Sequence, residues 1–214
     1  TRVLSGGRPA VKQEGQPATV GIPLVHEGEE VKGGAAYAAA RTGVQGAAAH
    51  AILTSLAGPL GLTAFAVGQA ATPEIARATS PGEARRVNRA AMTVAAIGVL
   101  AGALIVLSLG EPVLGLFTSD ARVLALTLPL LPLLAAYTLA DNCGIVMATG
   151  LTGLKRSTWT LGSAIVGNGL LALAMTPVTT AWGLAGLWIA LTAGRLLVLV
   201  TQTVGFMRHS ARAQ

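Results

Sequence analysis

Charge is what this sequence has least of. Only 11% of its 214 residues are Asp, Glu, Lys or Arg, against about 25% in an ordinary soluble domain. Between residues 42 and 73 there is no charged residue, and between 157 and 194 again none. A water-facing surface cannot be built from such runs, which places the chain among membrane proteins. Cysteine is nearly absent as well. The single one, Cys143, excludes an internal disulfide framework and reads as a small packing residue. There is no nucleophile–base pair or metal-ligand motif, which argues against an enzyme. The net charge of +6 does not indicate nucleic acid. The basic residues flank apolar runs and form no dense patch interleaved with aromatics. No initiator methionine and no signal peptide open the chain, which reads as a fragment or a processed product.

What the chain does have is a set of long apolar segments. The expected fold class is all-α: a polytopic transmembrane helix bundle of about five full spans plus a partial one. The spans are placed near 47–70, 90–110, 123–150, 157–176 and 183–206, all within a membrane unit 47–214. Residues 34–46 read as a partial helix and loop. Residues 1–33 are polar, rich in Gly, Pro and Glu, and read as a non-membrane loop or disordered segment. Within them 18–25 has the composition of a short strand, and His26 beside three glutamates fits no ligand spacing. Ser80 with Pro81 is the expected start of one helix, and Thr118-Ser119-Asp120 the cap of another. Gly58-Pro59 and Gly61 are expected to bend the helix that holds them.

Orientation follows from arginine and lysine. Connectors 74–89, 155–156 and 208–214 carry four, two and two of them, eight in all, while 111–122 and 177–183 together carry one, Arg122. The first set is expected in the cytoplasm, with the C-terminus. Trp182 and Trp188 are expected at one membrane interface and Trp159 at the other. His50 is expected as a hydrogen-bonded residue near an interface.

The stretch 123–154 contains a single charge, Asp141. A carboxylate in mid-span costs about 2.5–3.5 kcal/mol on insertion scales, so one that is kept usually binds an ion, a proton or a substrate. The alternative is a helix-packing hydrogen-bond group. Tyr137 precedes it by four residues and shares its helical face. Pro129 and Pro132 each remove a backbone donor and are expected to leave carbonyls lining a cavity. Asn168, between two glycines, adds a polar position in the next span. Arg195 interrupts the last span. Snorkelling or packing is the preferred reading, with pairing to an acid or contact with an anionic lipid or substrate as alternatives. Asn168, Arg195, Pro129 and Pro132 are thus the candidate cavity or gating residues.

Several stretches, in order, resemble one family. They are Ala47-Ala48-Ala49-His50, Pro59-Leu60-Gly61-Leu62, Gly82-Glu83-Ala84-Arg85-Arg86, Leu116-Phe117-Thr118-Ser119-Asp120, and Leu130-Leu131-Pro132-Leu133-Leu134. Across 47–206 the chain is similar to the C-terminal lobe of a MATE (multidrug and toxic-compound extrusion) transporter. The resemblance implies twelve helices in two lobes around a central cavity, in the cell (inner) membrane. It implies export of drug-like, often cationic compounds, driven by inward Na⁺ or H⁺ with no other cofactor. It implies that Asp141 and Tyr137 contribute to the cation or proton site, and no metal beyond Na⁺ at Asp141 is expected. The expected partners are the lipid bilayer, a small organic substrate, and a first lobe or second half-transporter to complete the cavity. Two further readings stay open: export of a lipid-linked precursor or polysaccharide within the same superfamily, and a truncated fragment without transport activity.

Overall fold

A computed structural model describes residues 32–211. The strand composition at 18–25 and the residues around His26 lie outside the described residues. Among those described, all regular structure is helical. A helix covering 32–40 (α1) turns at Gly43, whose φ of 99° suits glycine. Then follow α2 (Val44–Arg77), α3 (Pro81–Ser108), α4 (Gly110–Gly115), α5 (Ala121–Thr127), a 3₁₀ turn (Leu128–Leu130), α6 (Leu131–Gly153) and α7 (Ser157–Ser210). Four helical stretches among the described residues are long and apolar enough to cross a membrane: Val44–Arg77, Pro81–Ser108, Ala121–Gly153 and Ser157–Ser210.

The local chemistry at the ends follows the sequence. Ser80 Oγ accepts from Glu83 N at 3.2 Å, with Pro81 in the first turn of α3. The Glu83 carboxylate reaches back to Thr79 N at 2.8 Å, a capping-box arrangement. Asp120 Oδ1 accepts from Arg122 N at 2.8 Å to start α5. Pro59 and Pro73 both lie inside α2, which stays one helix through them.

At 54 residues, α7 would be about 80 Å long if straight, far beyond a hydrocarbon core of about 30 Å. It is a hairpin of two arms. Gly183 takes φ 60° and ψ −145°, outside helical geometry, and the chain folds back there. Gly167 then packs on Val198, Gly194 on Leu171, and Gly205 on Trp159. The residue numbers in each pair sum to nearly the same value, the signature of antiparallel arms pivoting at Gly183. The described bundle thus holds five apolar helical segments.

Register across the bundle comes from glycines too. Gly61 faces Asn142, and Gly68 faces Thr149, so α2 and α6 run parallel. Gly144 faces Gln202, and Gly150 faces Phe206, so α6 and the second arm of α7 are also parallel. Gly98 against Thr63 and Gly102 against Leu60 make α3 antiparallel to α2. Small residues let these backbones approach closely, which is how membrane helices gain contact when no hydrophobic difference drives them together.

The interior has two apolar cores. One holds Leu53, Leu114, Leu134, Leu187 and Trp188. The other holds Ala64, Ile75, Ala95, Val146, Leu151 and Phe206. On α6 the first ends near Tyr137 and the second begins at Val146. On α7 they reach Leu191 and Phe206. Between them lies a polar level.

Candidate cation site

That polar level is where Asp141 sits. Residues 137 and 141 are one turn apart on α6 and share a face. Residues 188 and 195 are two turns apart on the second arm of α7 and share another. Because these helices run parallel, the two faces meet in order. Tyr137 packs edge-on to Trp188 with ring centroids 5.4 Å apart, and Asp141 Oδ1 lies 3.1 Å from Arg195 Nε. The Nε–H does not aim at the carboxylate, so this contact is an ion pair without hydrogen-bond alignment. The Tyr137 hydroxyl is within electrostatic reach of both charges.

The preferred sequence reading of Arg195, snorkelling or packing, is therefore replaced by pairing with an acid. The pair is not sealed: the side chains are 29% exposed for Asp141 and 21% for Arg195.

Two other expectations change. Trp188 is fully buried, 0% exposed, and is no interface anchor. It is clamped between Tyr137 and His50, the latter with ring centroids at 5.7 Å. His50 itself is 6% exposed, with an unpartnered Nδ1, so it is a core residue packed on Trp188. Both were misread for one reason: hydropathy places a residue at a depth but does not say which neighbour covers it. By contrast Trp182 is 66% exposed beside Gly183, and Trp159 Nε1 donates to Thr201 O at 3.0 Å near the other end.

The remaining candidates do not join the pair. Asn168 lies half-buried on the first arm of α7, and no hydrogen bond among the described residues links it to Asp141, Tyr137 or Arg195. Pro129 sits in the 3₁₀ turn and Pro132 in the first turn of α6. Nine residues separate Pro132 from Asp141, about 13 Å along a helix. The prolines lie where the helix passes through its 3₁₀ turn, near the N-terminal end of the segment Ala121–Gly153.

One polar neighbour escaped the sequence reading. Asn142 is 1% exposed, donates Nδ2 to Thr138 O at 2.6 Å, and has an unpartnered Oδ1. Its place directly after Asp141 was the available signal. Among the described residues no group of three or more His, Cys, Asp or Glu could hold a metal. A hard cation prefers oxygen donors, and among the described residues the Asp141 carboxylate has the Tyr137 hydroxyl within electrostatic reach.

Comparison with known proteins agrees with this architecture. The chain is 29% identical to the probable multidrug resistance protein NorM of Xanthomonas campestris pv. campestris over 178 residues, which is 80% of this chain and 39% of that protein. It is also 29% identical to the probable multidrug resistance protein NorM of Brucella suis over 183 residues, with the same coverage. The chain thus spans about two fifths of the length of these curated relatives. No solved structure matches it. The family model for MatE matches residues 36–178, more than half of the sequence, and the chain belongs to the MatE family.

Proposed function

We propose that this chain is the second lobe of a secondary active exporter that moves drug-like organic compounds out of the cell in exchange for inward Na⁺ or H⁺. The observation that carries the proposal is the Asp141–Arg195 pair, with Tyr137 beside it, at the polar level between two apolar cores. The multidrug resistance named for the NorM relatives supports the substrate class.

In this reading Asp141 changes partners. With no coupling ion present, Arg195 neutralises its carboxylate. An arriving Na⁺ takes the carboxylate and the Tyr137 oxygen, or a proton neutralises Asp141, and Arg195 is set free. A positive charge released at the bilayer midplane is costly, so it favours a rearrangement of the α7 arm that carries it. Cation entry is thereby coupled to a change of helix packing. A first lobe, from the same or another polypeptide, closes the cavity on the exposed side of the pair.

The basic residues support a cytoplasmic C-terminus and a location in the cell membrane. Arg77, Arg85, Arg86, Arg89, Lys155, Arg156 and Arg208 lie at the helix ends that meet around Gly153 and Trp159, while Arg41 and Arg122 lie at the opposite ends. Export of a lipid-linked pyrophosphate is a weaker reading, since the one arginine within a span, Arg195, is already paired.

The test is Asp141→Asn in the intact transporter, reconstituted in liposomes. Efflux of a fluorescent organic cation under an imposed Na⁺ or H⁺ gradient is expected to fall to background. Unchanged gradient-driven efflux would sink the proposal.

A further inference from the structure

A separate cavity of about 390 Å³ has none of Asp141, Tyr137 or Arg195 in its lining. It runs along α3 and is closed by Met147 of α6 and Phe206 of α7. Its α3 wall is ordered by charge. Arg85 and Arg89 come first, one turn apart; below them the same face carries Met92, Ala96, Ile97 and Leu100.

Three features of this wall need explaining. First, two like charges stand on successive turns, where they repel, and neither is in an ion pair among the described residues. The acid nearest in sequence, Glu83, is turned onto Thr79. Second, Arg85 is pre-set. Its Nε donates to Ser210 Oγ at 2.9 Å and a terminal nitrogen to Met207 O at 3.1 Å, which leaves three of its five N–H donors available. Arg89 is exposed and makes no side-chain bond among the described residues. Third, the apolar wall has a definite length. From Arg89 to Leu100 is eleven residues, about 16 Å, or one leaflet of a core about 30 Å thick. The α2–α3 register sets Leu100 near Gly61, which faces Asn142, the level of Asp141.

We infer that this groove is a binding site for one anionic phospholipid of the leaflet at the arginine-rich end. The phosphate is held between Arg85 and Arg89, and an acyl chain lies along Met92, Ile97 and Leu100 against Phe206. Charge complementarity selects the head group. An arginine fork suits phosphate oxygens, and a phosphate between the two arginines removes their repulsion. The leaflet-length apolar strip selects a lipid over a soluble phosphate. Because Arg85 holds the last turn of α7, the lipid would also steady the arm that carries Arg195.

The test uses the purified chain in neutral detergent, reading thermal unfolding with added phosphatidylglycerol, phosphatidylcholine, or inorganic phosphate. Phosphatidylglycerol is expected to raise Tm, phosphatidylcholine much less, and phosphate alone not at all. Arg89→Gln is expected to remove more than half of the phosphatidylglycerol effect. Arg86→Gln, one residue outside the groove, keeps it. Ala96→Trp, which fills the groove and spares both arginines, also loses the effect, so the result does not hang on one variant. An equal response to both lipids overturns the inference. So does an equal loss in Arg86→Gln, which marks diffuse charge attraction, and so does a full effect from inorganic phosphate. The readout is independent of efflux, so the site stands or falls apart from the transport proposal.

Discussion

Arg195 Nε stands 3.1 Å from Asp141 Oδ1, joining two parallel helices whose residues are 54 positions apart in the chain. Breaking a fully buried pair costs about 3–5 kcal/mol, and an exposed one about 0–1 kcal/mol. At one-fifth to one-third exposure this pair falls between, so Arg195→Gln alone is expected to destabilise by about 1–3 kcal/mol. The double variant Asp141→Asn/Arg195→Gln is expected to recover most of that. A double-mutant cycle on unfolding in detergent measures the coupling; purely additive effects would mean the two side chains do not interact.

Gly183 needs its glycine for conformation, not space. A Cβ there meets nothing within 4 Å, yet its φ is 60° with ψ −145°. Such backbone costs a non-glycine residue about 1–3 kcal/mol. Gly183→Ala is therefore expected to lower stability by that amount. Gly162→Ala, in open helix with nothing within 4 Å, is expected to be neutral or to stabilise by up to about 1 kcal/mol. If the two variants unfold alike, the fold-back at Gly183 is not strained.

Gly205 is needed for space. An added Cβ would run into the indole of Trp159, which donates Nε1 to Thr201 O at 3.0 Å and packs edge-on to His209. Gly205→Ala is expected to cost about 1–3 kcal/mol, as overpacking generally does, and to shift the tryptophan emission. An unshifted spectrum with unchanged Tm would show that the arms of α7 are not packed this closely.

The cap of α3 is expected to be acid-sensitive. Hydrogen bonds from the Thr79 backbone N–H and hydroxyl hold the Glu83 carboxyl below its ordinary value of 4.5. A depressed folded value means that Glu83 adds stability above about pH 4.5, and that this is lost as pH falls further through the folded value. In Glu83→Gln, stability should change less between pH 5 and pH 3 than in the parent chain. Parallel pH profiles would remove Glu83 from the account. Ser80→Ala should cost about 1 kcal/mol at any pH in this range.

Much of the architecture was legible because it is local or one-dimensional. A deficit of charge over 20 residues reports a membrane helix wherever the helix goes. Ser80 and Asp120 cap because a short oxygen-bearing side chain reaches its own next turn. Asp141 was visible because a lone carboxylate in a 32-residue apolar stretch is costly. Arg195 was equally visible, but its partner was not: local rules reach about four residues along a helix, Asp141 is 54 positions away, and the pairing depends on which faces of α6 and α7 meet. Trp188 was misplaced for the same reason, since depth in the bilayer does not separate a lipid-facing indole from one closed in by His50 and Tyr137.

By itself, then, the sequence determined an all-helical membrane bundle, its helix caps, its charge asymmetry, and two charges that had to be accounted for. These follow from solvation and near-neighbour geometry, which composition and spacing carry directly. The sequence also divided the run 157–206 into two spans; only the tertiary structure decided that the pivot is Gly183, that the polar level lies between two apolar cores, and that Asp141 meets Arg195 there. Those depend on helix register, and register is settled by where small residues let backbones approach, a property of pairs of helices that no single segment holds.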